Sequence, residues 1–134
     1  MRRTNTTINP QLSRVISETG RTDLIVVTDA GLPIPVDCAR IGLAYRPGAP
    51  AFLDVLDTIL AELVVEKATL AAEIAQHSPE LYAALRERFD ALGVDIDLVP
   101  HVEFKARSHT ARAFVRSGEF MPYANVILHA GVAY

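Results

Sequence analysis

The sequence predicts an α/β domain of three layers, a mainly parallel sheet with helices on both faces. Short apolar runs suited to strands alternate along the 134 residues with segments of helical periodicity. The run Leu24-Ile25-Val26-Val27 is apolar at every position and rich in β-branched residues, the pattern of a strand buried on both faces. Strands separated by helices return to the same sheet by crossovers, which makes neighbouring strands parallel. The length lies near the mode for one domain, half the residues are apolar, and no linker, repeat or low-complexity segment interrupts the chain. One domain over residues 1–134 is expected.

Asn9-Pro10 reads as an N-cap followed by a first-turn proline; Leu12, Val15 and Ile16 follow at helical spacing, and Gly20 supplies a stop. Arg21-Thr22-Asp23 link this helix to the strand that ends at Asp29. After the stiff loop through Pro33 and Pro35, Arg40 to Tyr45 is a short strand candidate weakened by Gly42, closed by a turn at Pro47-Gly48 and Pro50. From Ala51 to Leu63 the residues Phe52, Val55, Leu56, Ile59, Leu60 and Leu63 form one apolar face of an amphipathic helix. Val64 to Leu70 reads as a strand, with Ala71 to Ala75 open to a helical continuation. Ser78-Pro79 repeats the cap-plus-proline signature before Leu81, Leu85, Phe89 and Leu92, and Gly93 ends that helix. Val94 to Val99 alternates apolar and acidic residues, the mark of an edge strand with one wet face, and Pro100 stops it. His101 to Ala106 begins a short helix, Ala113 to Arg116 is a further strand, Ser117-Gly118-Glu119 turn the chain, and a strand-like apolar run follows Pro122.

Composition narrows the function classes. A net charge of −3 leaves no electrostatic footprint for nucleic acid, and Arg2-Arg3 are two isolated basic residues beside a polar stretch. The lone Cys38 has no partner for a disulfide and belongs to no metal-ligand spacing, so no metal is expected. No apolar run follows Arg2-Arg3 and none elsewhere is long enough to span a bilayer, so no membrane partner and a cytoplasmic location are expected.

The segment most suggestive of chemistry is Asp29-Ala30-Gly31-Leu32-Pro33-Ile34-Pro35. Open α/β sheets bind ligands beyond the carboxyl ends of their strands, so Asp29 reads either as a ligand-facing acid or as an Asx turn. Gly31 lets the backbone pass close to a ligand, and the prolines limit the freedom lost when the loop orders.

Asn9-Pro10 with its helix, Gly20-Arg21-Thr22-Asp23, the Asp29 to Pro35 loop, His101 with Phe104-Lys105, and Arg116-Ser117-Gly118-Glu119 with Pro122-Tyr123-Ala124-Asn125 resemble the D-ribose pyranase family from near residue 8 onward. The related L-fucose mutarotases share a looser version of the pattern. The resemblance implies an isomerase without cofactor, redox step or metal, interconverting pyranose and furanose forms of D-ribose or a similar free sugar. It also implies ring-shaped homo-oligomers, often decamers of two stacked pentamers, with sites at subunit boundaries. Matched position by position, it implies that Asp29 and His101 bind sugar and that Tyr123, Ala124 and Asn125 complete the pocket, that of a neighbouring subunit. One position departs: Arg21 stands where the family carries a histidine proposed as proton donor.

Opening a cyclic hemiacetal needs a base for the anomeric hydroxyl proton and an acid for the departing ring oxygen, each worth ~10² to 10⁴ in rate. A guanidinium stays protonated and cannot shuttle a proton. The expected roles are therefore His101 as titrating group, Asp29 as its partner or a hydroxyl acceptor, and Arg21 as a fixed positive charge. Plainer readings stand beside these: His101 as a helix cap, Arg21 satisfying helix carbonyls or pairing with Asp23, Tyr123 as an interface aromatic, and Asn125 as a turn residue. His77 and His109 read as solvated, and His129 as a hydrogen-bonded histidine of the core or an interface. Three functions compete: a ring isomerase, a sugar-binding oligomer without catalysis, and an isomerase or binder for an anionic sugar drawn by Arg21.

Overall fold

The computed structural model describes residues 6–134, so Arg2-Arg3 lie outside it. The elements are α1 (Pro10–Glu18), β1 (Leu24–Thr28), β2 (Ala39–Gly42), α2 (Phe52–Leu60), β3 (Val65–Ala71), α3 (Ile74–His77), α4 (Pro79–Leu92), β4 (Asp95–Val99), α5 (His101–Ser108), β5 (Ala113–Arg116) and β6 (Val126–Ala130). The strands form one six-stranded sheet in the order β2-β5-β1-β6-β3-β4. β5 runs parallel to both β1 and β2, and β3 parallel to β4. Only β6 runs against its neighbours, β1 and β3. The chain travels from β5 to β6 through residues 117–125 without a helix, so it enters β6 from the end at which it left β5.

The expectation of a strand buried on both faces holds for β1, where Ile25, Val26 and Val27 are fully buried. Ile25 and Val27 join the larger core with Leu12, Phe52, Leu56, Ile59, Leu85 and Phe89, beneath α1, α2 and α4. Val26 faces the other way, into a smaller core with Leu32, Ile34, Phe104, Phe114 and Ile127, beneath α5 and the loop after β1. β4 lies at an edge, as its alternation predicts, and β2 closes the other side.

Asn9 caps α1 by accepting the Leu12 amide at 2.9 Å, and α4 ends at Gly93 in the left-handed region, φ 67°. α1 stops at Glu18, two residues before the expected glycine, where the Thr19 hydroxyl donates to the Val15 carbonyl at 2.6 Å. The open question after Leu70 resolves in favour of both readings: the strand continues to Ala71, and a one-turn helix begins at Ile74. Ser78 does not cap α4 with its side chain; its hydroxyl donates to the Pro122 carbonyl at 2.7 Å. His129 lies in β6 with Nε2 2.9 Å from the Thr69 hydroxyl, and burial, then Lys67 and Arg107, hold its pKa below the usual histidine value.

Gly118 is a close-approach glycine. Its amide donates to the Pro50 carbonyl and its carbonyl accepts from Gly48, and a Cβ there would collide with the Ala49 backbone. Gly118→Ala is therefore expected to cost roughly 1–3 kcal/mol, read from the denaturant midpoint. Among the described residues, no helix is long and apolar enough to cross a membrane, and no group of three or more His, Cys, Asp or Glu could hold a metal ion.

Candidate functional site

Because every strand but β6 runs the same way, the carboxyl ends of β1, β5, β3 and β4 share one edge of the sheet with the start of β6. Beyond the carboxyl ends of such strands, loops that leave toward opposite faces of the sheet open a crevice between them. Here it is an open hollow of about 600 Å³ walled by Asp29 to Pro33, His101, the segment Glu119 to Tyr123, and Asn125.

Asp29 and Asn125 form the floor. The Asp29 amide donates to Asn125 Oδ1 at 2.9 Å, and Asn125 Nδ2 donates to Asp29 Oδ2 at 3.3 Å. Asp29 Oδ1 accepts the amides of Gly31 at 2.9 Å and Leu32 at 2.8 Å. The two readings of this acid are thus compatible: one oxygen makes an Asx turn, and the carboxylate as a whole borders the hollow. Asn125 is 2% exposed, so its amide is spent on orienting Asp29. Arg116 braces the loop from behind, donating to the carbonyls of Asp29 at 3.1 Å and Leu32 at 2.6 Å. Burial and nearby Arg40 lower the Arg116 pKa, and the Asp29 carboxylate acts in the opposite sense.

His101 and Tyr123 form the opposite wall. His101 opens α5, with its ring centroid 5.1 Å from that of Tyr123 in an edge arrangement and 6.3 Å from Phe104 in a stacked one. Its Nδ1 is buried with no hydrogen-bond partner among the described residues. His101 does not cap the helix with its side chain; its backbone amide is accepted by both oxygens of Glu73, at 3.0 and 3.1 Å. Tyr123 adopts φ 61°, an uncommon backbone for a bulky side chain, in a turn whose Asn125 amide donates to the Tyr123 carbonyl at 2.8 Å. Backbone of this kind persists only where the surroundings over-determine it, and it clusters at functional sites.

Two residues expected at the site lie elsewhere. Arg21 sits before β1, whereas Asp29 follows it, so about 16 Å of strand separates them. Its guanidinium is exposed and 3.2 Å from Glu66 Oε1. Ala124 is fully buried in the larger core and does not line the hollow, because the left-handed turn at Tyr123 sends the following side chain inward.

Other wall residues escaped the sequence reading. Glu119 lines the hollow, yet its carboxylate is committed to backbone: Oε1 accepts the Phe52 amide at 3.2 Å, supplying the N-cap that Ala51 does not, and Oε2 accepts Phe120 and Met121 amides. The Arg116 to Glu119 motif was its only signal. His77, outside the wall, is exposed as the reading of it as solvated expects, and its ring centroid lies 5.3 Å from that of Tyr123. Phe120 and Met121 stand exposed at the rim, with Val102 exposed beside His101.

The profile of the RbsD / FucU transport protein family matches residues 2–133. A D-ribose pyranase of Laribacter hongkongensis (strain HLHK9) is 52% identical over 130 residues, covering 97% of this chain and 98% of the relative. Another, of Geobacillus kaustophilus (strain HTA426), is 45% identical over 127 residues, covering 95% and 92%. Among solved structures, Bacillus subtilis RbsD complexed with D-ribose matches with a TM-score of 0.94 at 40% identity over 100% of both chains. The fucose mutarotase of Streptococcus pneumoniae in complex with L-fucose matches at 0.81 and 26% identity, again over 100% of both chains. On these matches, and on the motifs that wall the hollow, the chain belongs to the RbsD / FucU family.

Proposed function

We propose that this protein is a monosaccharide ring isomerase that interconverts the pyranose and furanose forms of D-ribose or a close relative. The observation that carries the reading is the meeting of Asp29, His101, Tyr123 and Asn125 around one hollow, on a fold shared with a protein solved in complex with D-ribose. A carboxylate locked by two amides and an asparagine is a pre-oriented acceptor for sugar hydroxyls. His101 is the proton carrier: as the ring opens it takes the anomeric hydroxyl proton and delivers it to the departing ring oxygen, and as the ring closes through another hydroxyl it takes that hydroxyl's proton and returns one to the carbonyl oxygen. Tyr123 offers an aromatic face and a hydroxyl to the sugar.

Arg21 enters this scheme only through a second copy. We take the working form to be a homo-oligomer, a decamer as in the family, in which a neighbouring subunit's β1 entrance faces this hollow and adds a fixed positive charge. The exposed Phe120, Met121 and Val102 around the mouth support a surface covered by another subunit. A cytoplasmic location agrees with an enzyme acting on free sugar. Restoring a histidine at position 21, Arg21→His, is expected to raise the exchange rate about tenfold or more by adding a second proton carrier, measured by exchange NMR on D-ribose.

The main test is saturation-transfer NMR on a panel of free monosaccharides, sugar phosphates and sugar acids. Pyranose to furanose exchange above the buffer rate for a neutral sugar supports the proposal. Binding without acceleration would leave a sugar-binding oligomer in its place, and preference for anions would move the assignment to an anionic sugar.

A further inference from the structure

The short segment from Glu73 to Ser78 touches both walls of the hollow without lining it. At one end, the Glu73 carboxylate receives the His101 amide with both oxygens. Pro100 gives α5 no side-chain cap, so this carboxylate, carried on a different element, satisfies the first amide of the helix. Hydrogen bonds from its own amide and from that of His101 hold the Glu73 carboxyl below the usual range. At the other end, His77 packs its ring on Tyr123, and the Ser78 hydroxyl donates to the carbonyl of Pro122, the residue before Tyr123. Tyr123 in turn meets His101 edge-on at 5.1 Å. One turn of helix therefore holds His101 by its amide and Tyr123 by its ring and the peptide before it.

We propose that Glu73 is a positioning residue for ring isomerisation: its carboxylate fixes the start of α5, and so the place of the His101 ring against Tyr123, without touching the sugar. This rests on the reading of His101 as the proton carrier. The His101 ring stands on the first residue of its helix, where no preceding turn restrains it, and its buried Nδ1 has no partner among the described residues. Its placement depends on the backbone below it, and Glu73 is what ties that backbone to β3 through the residues that follow the strand.

The test measures D-ribose exchange by NMR in the native protein, Glu73→Ala, Glu73→Gln, His101→Ala and the double variant Glu73→Ala with His101→Ala. Glu73→Ala is expected to lower the saturating rate ~10- to ~100-fold, since small misplacements of a reacting group cost that much. Its half-saturating ribose concentration should stay within about threefold of native, because Glu73 makes no sugar contact. Glu73→Gln keeps an acceptor for the amide and should regain most of the rate. In a His101→Ala background the Glu73 change should add no further loss, because it acts through that ring. Native rates in Glu73→Ala, or losses that multiply in the double variant, overturn the positioning role. Full activity in His101→Ala overturns the reading beneath it, so the two failures are distinguishable. Glu73→Ser, too short to reach the amide, takes the place of Glu73→Ala if that variant does not fold.

Discussion

Replacing His101 with alanine is expected to reduce ribose ring exchange by ~10² to ~10⁴, the usual contribution of one positioned acid or base. The proposed mechanism calls for this size because the carboxylates of the wall are committed to hydrogen bonds within the protein. Glu119 has both oxygens committed to backbone amides, and Asp29 Oδ1 is held by two more. Arg116 donates to two carbonyls and, as a guanidinium, keeps its protons. The fold should tolerate the change, since the helix cap that depends on position 101 uses its backbone amide. Saturation-transfer NMR with D-ribose, accompanied by a thermal melt, separates a lost proton carrier from a lost structure. An unchanged exchange rate in a folded His101→Ala protein would remove His101 from the mechanism.

Asp29→Ala is expected to weaken ribose binding about 10- to 100-fold, as the loss of one or two charge-assisted hydrogen bonds predicts, and to destabilise the protein as well. Removing the carboxylate frees the amides of Gly31 and Leu32 and strips the buried Asn125 Nδ2 of its acceptor. Each polar group left buried without a partner costs roughly 1–3 kcal/mol. Asp29→Asn distinguishes the two effects. It keeps an oxygen for the Gly31 and Leu32 amides and so recovers the stability of the turn, but it sets an NH2 against Asn125 Nδ2 and loses the charge that would hold a sugar hydroxyl. Ribose titration and denaturant unfolding of both variants read the two quantities apart.

Local pattern announced much of this architecture. The unbroken apolar run of β1, the capped start of α1, the apolar face of α2 and the wet alternation of β4 each reflect an environment that neighbouring residues in the chain can encode. The direction of β6 was hidden, because antiparallel pairing with β1 and β3 is decided by the path of residues 117–125 over the sheet edge rather than by the composition of the strand. α3, at four residues, is too short to show a period, and so it blurred into the alanine-rich run after β3. At the site, Asp29, His101, Tyr123 and Asn125 were legible through motifs. Glu73 and Glu119 were not, because their partners are main-chain amides 28 and 67 positions away, which no side-chain pattern reveals. Arg21 was read at the entrance of β1 and is found there, paired with Glu66; a motif match carries no signal of which subunit completes a site.

The reversed strand also sets the timing of assembly. β6 is the only bridge between the trio β2-β5-β1 and the pair β3-β4, and it is the last of the six to leave the ribosome. β5, which joins β2 to β1, comes just before it, so until these last two strands arrive β1, β2 and β3 keep unpaired edges apt to stick to other chains. Closure of the sheet against such mispairing and completion of the hollow thus come together, because β6 follows directly on the residues that wall it.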